Sequence, residues 1–196
     1  RSTAARALGL AGNPQAVEAL IRALGDEDRD VRREAVQAMG EIGDERALAP
    51  LVAVLRDRDW SVQESAAYAL GQIGDARAIE PLAAALKLGD VGGVQTALVT
   101  ALSRIQDARV IPPLVMALED GNWNSRARAA QALEARGWQP ADDRQRALRL
   151  IAQYKWDALV PLGQAAADAL ATVFPVSLTD EPLWTLAKLG DPRAVK

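Results

Sequence analysis

The sequence predicts an all-α protein built as a stack of short two-helix repeats. Three observations predict it: a motif that returns every 31 residues, apolar positions at helix spacing after each return, and a polar turn between the two helices of each copy. With 49% hydrophobic and 25% charged residues among 196, the chain has the apolar material for a core and lacks a disordered composition.

The motif is Gly-Asp-x-Arg-Ala. It reads Gly43-Asp44-Glu45-Arg46-Ala47 and Gly74-Asp75-Ala76-Arg77-Ala78, and in weaker form Gly12-Asn13-Pro14-Gln15-Ala16, so the steps from 12 to 43 to 74 are each 31 residues. The next copy, Gln106-Asp107-Ala108-Arg109-Val110, sets its Asp 32 residues after Asp75, with the extra residue near the Gly89 to Gly93 stretch. A last copy is Gly190-Asp191-Pro192-Arg193-Ala194.

After each motif comes a helix. In the best copy Leu48, Leu51, Val52 and Leu55 keep helix spacing, and the Asp before them is placed to cap the first turn. Proline returns in register at Pro50, Pro81 and Pro113, one turn inside this helix, where it is expected to kink the helix while losing few hydrogen bonds. A polar turn, Arg56-Asp57-Arg58-Asp59, leads to a second helix whose apolar stripe is Val62, Ala66, Ala69, Leu70 and Ile73. The previous copy carries Val31, Ala35, Ala38, Met39 and Ile42 at the same places. One helix pair cannot cover its own apolar flank, so neighbours must stack into a continuous core.

The succession Asp-x-x-Val-Arg, an Ala-rich helix, Leu-Gly-x-Ile-Gly-Asp-x-Arg-Ala and then Pro-Leu resembles the short HEAT-like repeats of the phycobilisome-lyase type, from Arg1 to about Arg136. The resemblance implies a right-handed superhelix, with the Pro-bearing helices outside and the Val-Arg helices lining a concave face. It also implies that Arg32 and Arg126, at a position holding Gln63 and Gln95 in other copies, form a ladder with Asp residues of the preceding turns.

At Gly137 the register is lost. Residues 1–136 read as regular repeats, 137–163 as a helical insertion and 164–196 as a truncated terminal repeat, in one continuous solenoid of about five to six helix pairs. Either Asp142 or Asp143 can cap a short helix over Arg144 to Ala152, Trp156 to Leu162 forms another that ends at Gly163, and Trp138, Tyr154 and Trp156 pin the insertion to the stack. An outer helix resumes over Gln164 to Val173, a loop through Pro175 follows, and Asp180 to Leu189 is the final inner helix, with Trp184 matching Tyr68. Because Arg1 aligns with Arg32, both ends are expected to be cut inside a repeat of a longer parent chain.

Composition removes several function classes. Without cysteine or histidine there are no thiolate nucleophiles, disulfides, catalytic triads or histidine-based metal centres, and no cofactor is expected. The run Asp26-Glu27-Asp28-Arg29-Asp30 lacks the spaced ligands of a calcium loop and reads as a capping turn. No apolar run approaches the roughly 18 residues that span a bilayer, and a cytoplasmic, non-enzymatic protein is expected. The net charge of −3 argues against a surface made for phosphate.

The varying positions of the second helices should line the concave face and bind a protein partner: Arg6, Arg33, Glu34, Gln37, Glu41, Glu64, Tyr68, Gln72, Thr100, Arg104, Arg128 and Gln131, with Trp184 in the last copy. Ser2, Thr3, Ser65 and Thr96 share these positions. Trp60 and Trp123 stand together at a repeat position that holds Arg29 and Gly92 elsewhere, so core packing does not demand an aromatic there. They read either as binding anchors or as indoles covering the start of the next helix. The leading function is a protein-interaction scaffold. The resemblance offers a second, an accessory subunit of lyase type that binds a bilin or other tetrapyrrole. Nucleic-acid binding ranks last, since Glu34, Glu41 and Glu64 interrupt the arginines of the groove.

Overall fold

In the computed structural model, residues 1–10, 13–88, 93–174 and 180–191 are described. Gly12, most of the glycine-rich stretch, the loop through Pro175 and Pro192 to Ala194 of the last motif lie outside them. Every regular element among the described residues is helical. None of these helices is long and apolar enough to cross a membrane. The chain divides into two compact units, Arg1–Pro113 and Leu114–Lys196.

The first unit holds α1 (Ser2–Leu10), α2 (Val17–Ala23), α3 (Arg29–Ile42), α4 (Leu48–Val54), α5 (Trp60–Ile73), α6 (Ile79–Lys87), α7 (Val94–Arg104) and the start of α8 (Ile111–Met116). The second helices stack in a row, α1 on α3, α3 on α5 and α5 on α7, while α2, α4 and α6 each pack on the helix that follows. This is the α-solenoid of HEAT-like helix pairs that the repeat predicts.

The long second helices α3 and α5 start at side-chain caps. Asp28 and Asp59 accept the backbone N–H two residues on, at 2.8 and 2.9 Å, and open α3 and α5. Gly43 and Gly74 end those helices in the left-handed region, at φ 68° and 71°. Where Gln106 replaces that glycine, α7 stops in extended backbone at Ile105 instead. The motif Asp works in the expected way with one refinement. Asp44, Asp75 and Asp107 cap short 3-10 turns, Glu45–Ala47, Ala76–Ala78 and Ala108–Val110, and the α-helix begins one residue later. Pro50, Pro81 and Pro113 are therefore third in α4, α6 and α8, where an N–H would have no partner inside the helix. A change from 3-10 to α winding lies just upstream of each proline.

The core runs along the shared seam. Val31, Ala35, Ala38, Met39, Val62, Ala66, Ala69 and Leu70 are buried, as are Leu48, Leu51 and Leu55. Burying each Leu or Met contributes about 1.5–3 kcal/mol. Val52 is half-buried and Val54 is buried in its place. Glycine lets the second helices approach closely: a Cβ on Gly40 would stand 2.8 Å from the Ala69 methyl, and one on Gly71 would stand 2.7 Å from the Ala101 Cα.

The second unit carries α9 (Trp123–Ala135), α10 (Asp143–Ala152), a 3-10 segment Trp156–Leu162, α11 (Gln164–Val173) and α12 (Asp180–Lys188). Helix α10 packs on α9, on α11 and on the 3-10 segment, and α12 packs on that segment too. The register break is a helix cap: Gly137 is left-handed at φ 66°, and Trp138 N–H donates to the Leu133 carbonyl at 3.0 Å. Of the two candidate caps Asp142 is the one used, accepting from Gln145 N–H at 2.7 Å. Tyr154 and Trp156 meet edge to face with ring centroids 5.9 Å apart, yet Tyr154 remains 52% exposed.

Candidate functional site

The polar face of the second helices is where the copies differ, and the structure divides its residues into three kinds. The first kind is gathered. Arg6 of α1 and Glu34, Gln37 and Glu41 of α3 line a depression of about 300 Å³ floored by Ala38. The Glu41 carboxylate lies across the helix before it, because Gly9 has no side chain there: its Oε2 is 2.9 Å from where a Cβ would be. Gln72 lies over Gly40 in the same way, with Oε1 at 2.6 Å. Arg33 is drawn to Asp30 at 3.3 Å and Glu34 at 3.7 Å.

The second kind stays open to solvent in whole or in part, and four of its members run along one helix. Trp60, Glu64, Tyr68 and Gln72 follow each other at four-residue steps on α5, so they share a face. Trp60, Tyr68 and Gln72 are exposed. Glu64 is half-buried, and that burial raises its pKa above the ordinary carboxylate value. Arg104 on α7 is exposed. In the second unit Trp123, Arg128 and Gln131 of α9 and Trp184 of α12 are also exposed. Trp60 and Trp123, at 47% and 56% exposure, keep about half their surface in solvent.

The third kind does not reach the surface. Thr100 is 5% exposed and donates its hydroxyl to the Thr96 carbonyl at 2.6 Å. Ser65 is buried likewise and bonds the Ser61 carbonyl at 2.9 Å. Both fold back on their own helix, as short hydroxyl side chains do when a neighbouring helix covers them.

For Arg32 the ladder exists with its direction reversed, whereas among the described residues the hydrogen bonds of Arg126 go only to the carbonyls of Asp120 and Gly121 in the turn before it. Arg32 donates Nε and Nη2 to the Asp57 carboxylate at 2.8 and 2.9 Å, and Asp57 belongs to the following turn. The preceding turn supplies only carbonyls, those of Asp26 and Glu27 at 2.8 and 3.1 Å. Arg1 pairs with Asp26 at 2.7 Å across the same 25-residue separation. Within the acidic run of that turn, Asp26 also accepts from Asp28 N–H, and Asp28 accepts from Asp30 N–H.

Two arrangements escaped the sequence reading. On the first-helix side, Val52, Leu55, Pro81, Ala84 and Leu88 line an apolar depression of about 450 Å³. Its signal was Leu88, which stands 25 residues after Gln63 where the other copies place Asp26 and Asp57. In the second unit the Lys188 ammonium lies 3.4 Å from the Trp184 ring centre and 3.5 Å from Asp157. The Trp184 to Lys188 step of four was legible in sequence, while Asp157 on another element was not.

A search of curated proteins gives no match. Among solved structures, the complex of CpcE and CpcF of phycocyanin lyase from Nostoc sp. PCC7120 is similar over 97% of this chain and 88% of that one, at 25% identity and a TM-score of 0.62. An engineered protein is similar over 96% of this chain and 87% of that one, at 24% identity and a TM-score of 0.47. The family model for HEAT repeats matches residues 1–59 and 49–134, and with the helix pairs just described, the chain belongs to the HEAT-repeat family.

Proposed function

We propose that this chain is a non-catalytic scaffold that binds a protein partner on the exposed face of its second helices. The observation that carries this is the depression lined by Arg6, Glu34, Gln37 and Glu41, polar groups that differ from copy to copy while the apolar seam beneath them repeats. Side chains needed for folding recur in register, whereas these do not. The exposed aromatics Trp60, Tyr68, Trp123 and Trp184 supply the kind of anchor that dominates protein interfaces.

A second reading has its own support in the likeness to the phycocyanin lyase complex: an accessory subunit of that type, binding a tetrapyrrole. Bound bilin would give visible absorbance, and a nucleic acid would give a steep salt dependence. A protein partner would be retained with neither. Replacing Trp60, Tyr68 and Trp123 together by Ala is expected to abolish capture of the partner while the circular dichroism and the urea midpoint stay near the parent values. Undiminished capture by a folded triple variant removes this face from the proposal.

A further inference from the structure

Lys188 sits between the Trp184 ring and the Asp157 carboxylate, so in the last repeat an ammonium is held by one aromatic face and one acid. Trp184 occupies the repeat position of Tyr68, and Lys188 therefore occupies that of Gln72. On α5 the aromatic and the acid are both present and the cation is not. Glu64 lies one turn from Trp60 and one turn from Tyr68, about 6 Å along the axis in each direction. Its carboxylate has no hydrogen bond or ion pair among the described residues, although it is half-buried. The nearest arginine by register, Arg33, is held by Asp30 and Glu34. Neither Trp60 nor Tyr68 has a cation over its ring among the described residues.

Resting on the scaffold reading above, we propose that Trp60, Glu64 and Tyr68 form a receptor for one basic side chain, lysine or arginine, presented by the protein partner. A half-buried carboxylate without a counter-ion is costly, and a cation brought by the partner offsets that cost, while two exposed rings one turn on either side add their quadrupoles to the attraction. Electrostatic matching of this sort selects the partner residue. A neutral or acidic side chain would leave Glu64 uncompensated.

The test uses the isotope-labelled full chain with the blocked amides of lysine and arginine, and that of norleucine as the neutral probe. The Trp60 indole resonance, assigned by its loss in Trp60→Phe, is expected to shift saturably with a basic probe. The Glu64 titration midpoint is expected to fall by about half a pH unit in the same sample, as a nearby cation favours the carboxylate. A response to only one of the two basic amides names the side chain. Glu64→Gln should weaken the response at least about threefold, and Gln72→Lys, which supplies an ammonium as Lys188 does, should remove it. No shift with either basic probe, an equal shift with norleucine, or an undiminished response in Glu64→Gln overturns the inference. If the probes fail while the triple aromatic variant still loses the partner, only this inference falls. If the triple variant keeps the partner, the scaffold face falls with it.

Discussion

Arg32 in the first compact unit and Arg126 in the second hold the same repeat position by different chemistry. Each donates Nη1 to two carbonyls of the turn before it: Asp26 and Glu27 for one, Asp120 at 2.8 Å and Gly121 at 2.9 Å for the other. The opposite edge of Arg32 grips the Asp57 carboxylate. The Nε of Arg126 is buried without a partner, and its guanidinium lies 5.1 Å from the Phe174 ring centre. The hydrogen bonds that Arg32 donates to Asp57 hold its pKa above its usual value, whereas burial pushes that of Arg126 below it. The carbonyl contacts are local to one turn and its helix, so they survive the break at Gly137. The ion pair needs the next turn in register, and 25 residues after Arg126 the chain offers Ile151.

The same substitution at both positions separates the two chemistries. Gln63 already shows what glutamine does there, donating to the Asp57 carbonyl six residues back. Arg32→Gln strands a largely buried carboxylate and is expected to lower unfolding stability by about 2–3 kcal/mol. Arg126→Gln strands no charge and is expected to fall within about 1 kcal/mol of the parent. Urea unfolding of both variants decides it, and equal losses would mean that Asp57 does not distinguish the two sites.

Glycine also behaves differently in the two units. In a helix interior, Gly→Ala commonly gains about 0.5–1 kcal/mol. At Gly71 the added methyl would stand 2.7 Å from the Ala101 backbone, so Gly71→Ala is expected to cost about 2 kcal/mol through overpacking. At Gly121, in the second unit, no atom lies within 4 Å of the added Cβ, and Gly121→Ala should leave the melting temperature nearly unchanged. A stabilised Gly71→Ala would show that α5 and α7 can separate at little cost.

The smallest expected effect is on pH. Asp44 and Asp107 of the first unit titrate at about 2, below the ordinary 3.8, chiefly because each accepts hydrogen bonds from the arginine two residues on. A depressed folded pKa favours the ionised form, so the contribution is complete above about 3.8 and disappears as the pH falls toward about 2. Asp44→Asn should therefore be less stable than the parent near neutral pH and converge with it in acid. Urea midpoints measured from about pH 5 down to pH 2 check this, and a constant difference would show that Asp44 acts only as a neutral cap.

Much of this was readable from residues alone, for identifiable reasons. Helix α10 of the insertion and the outer helix α11 that resumes after it lie where the apolar spacing put them, since that spacing and the turn residues act within a dozen positions. The ladder was read in the wrong direction because nothing in a one-dimensional alignment says whether Arg32 reaches the turn before it or the one after. Thr100 was placed on the binding face by alignment with Tyr68, yet a short side chain at that position stays under its neighbours. The Asp157 partner of Lys188 was invisible because it comes from a segment with no repeat to align.

Sequence alone determined the helix pairs, their caps and the apolar seam, because hydrogen bonding within a turn and periodic burial depend on near neighbours that the repeat copies faithfully. Which carboxylate meets which guanidinium, and which polar side chains remain open on the face, follows from the packing of one element against another. Those outcomes depend on which neighbouring element comes within the reach of a side chain, and that is settled when the helices stack.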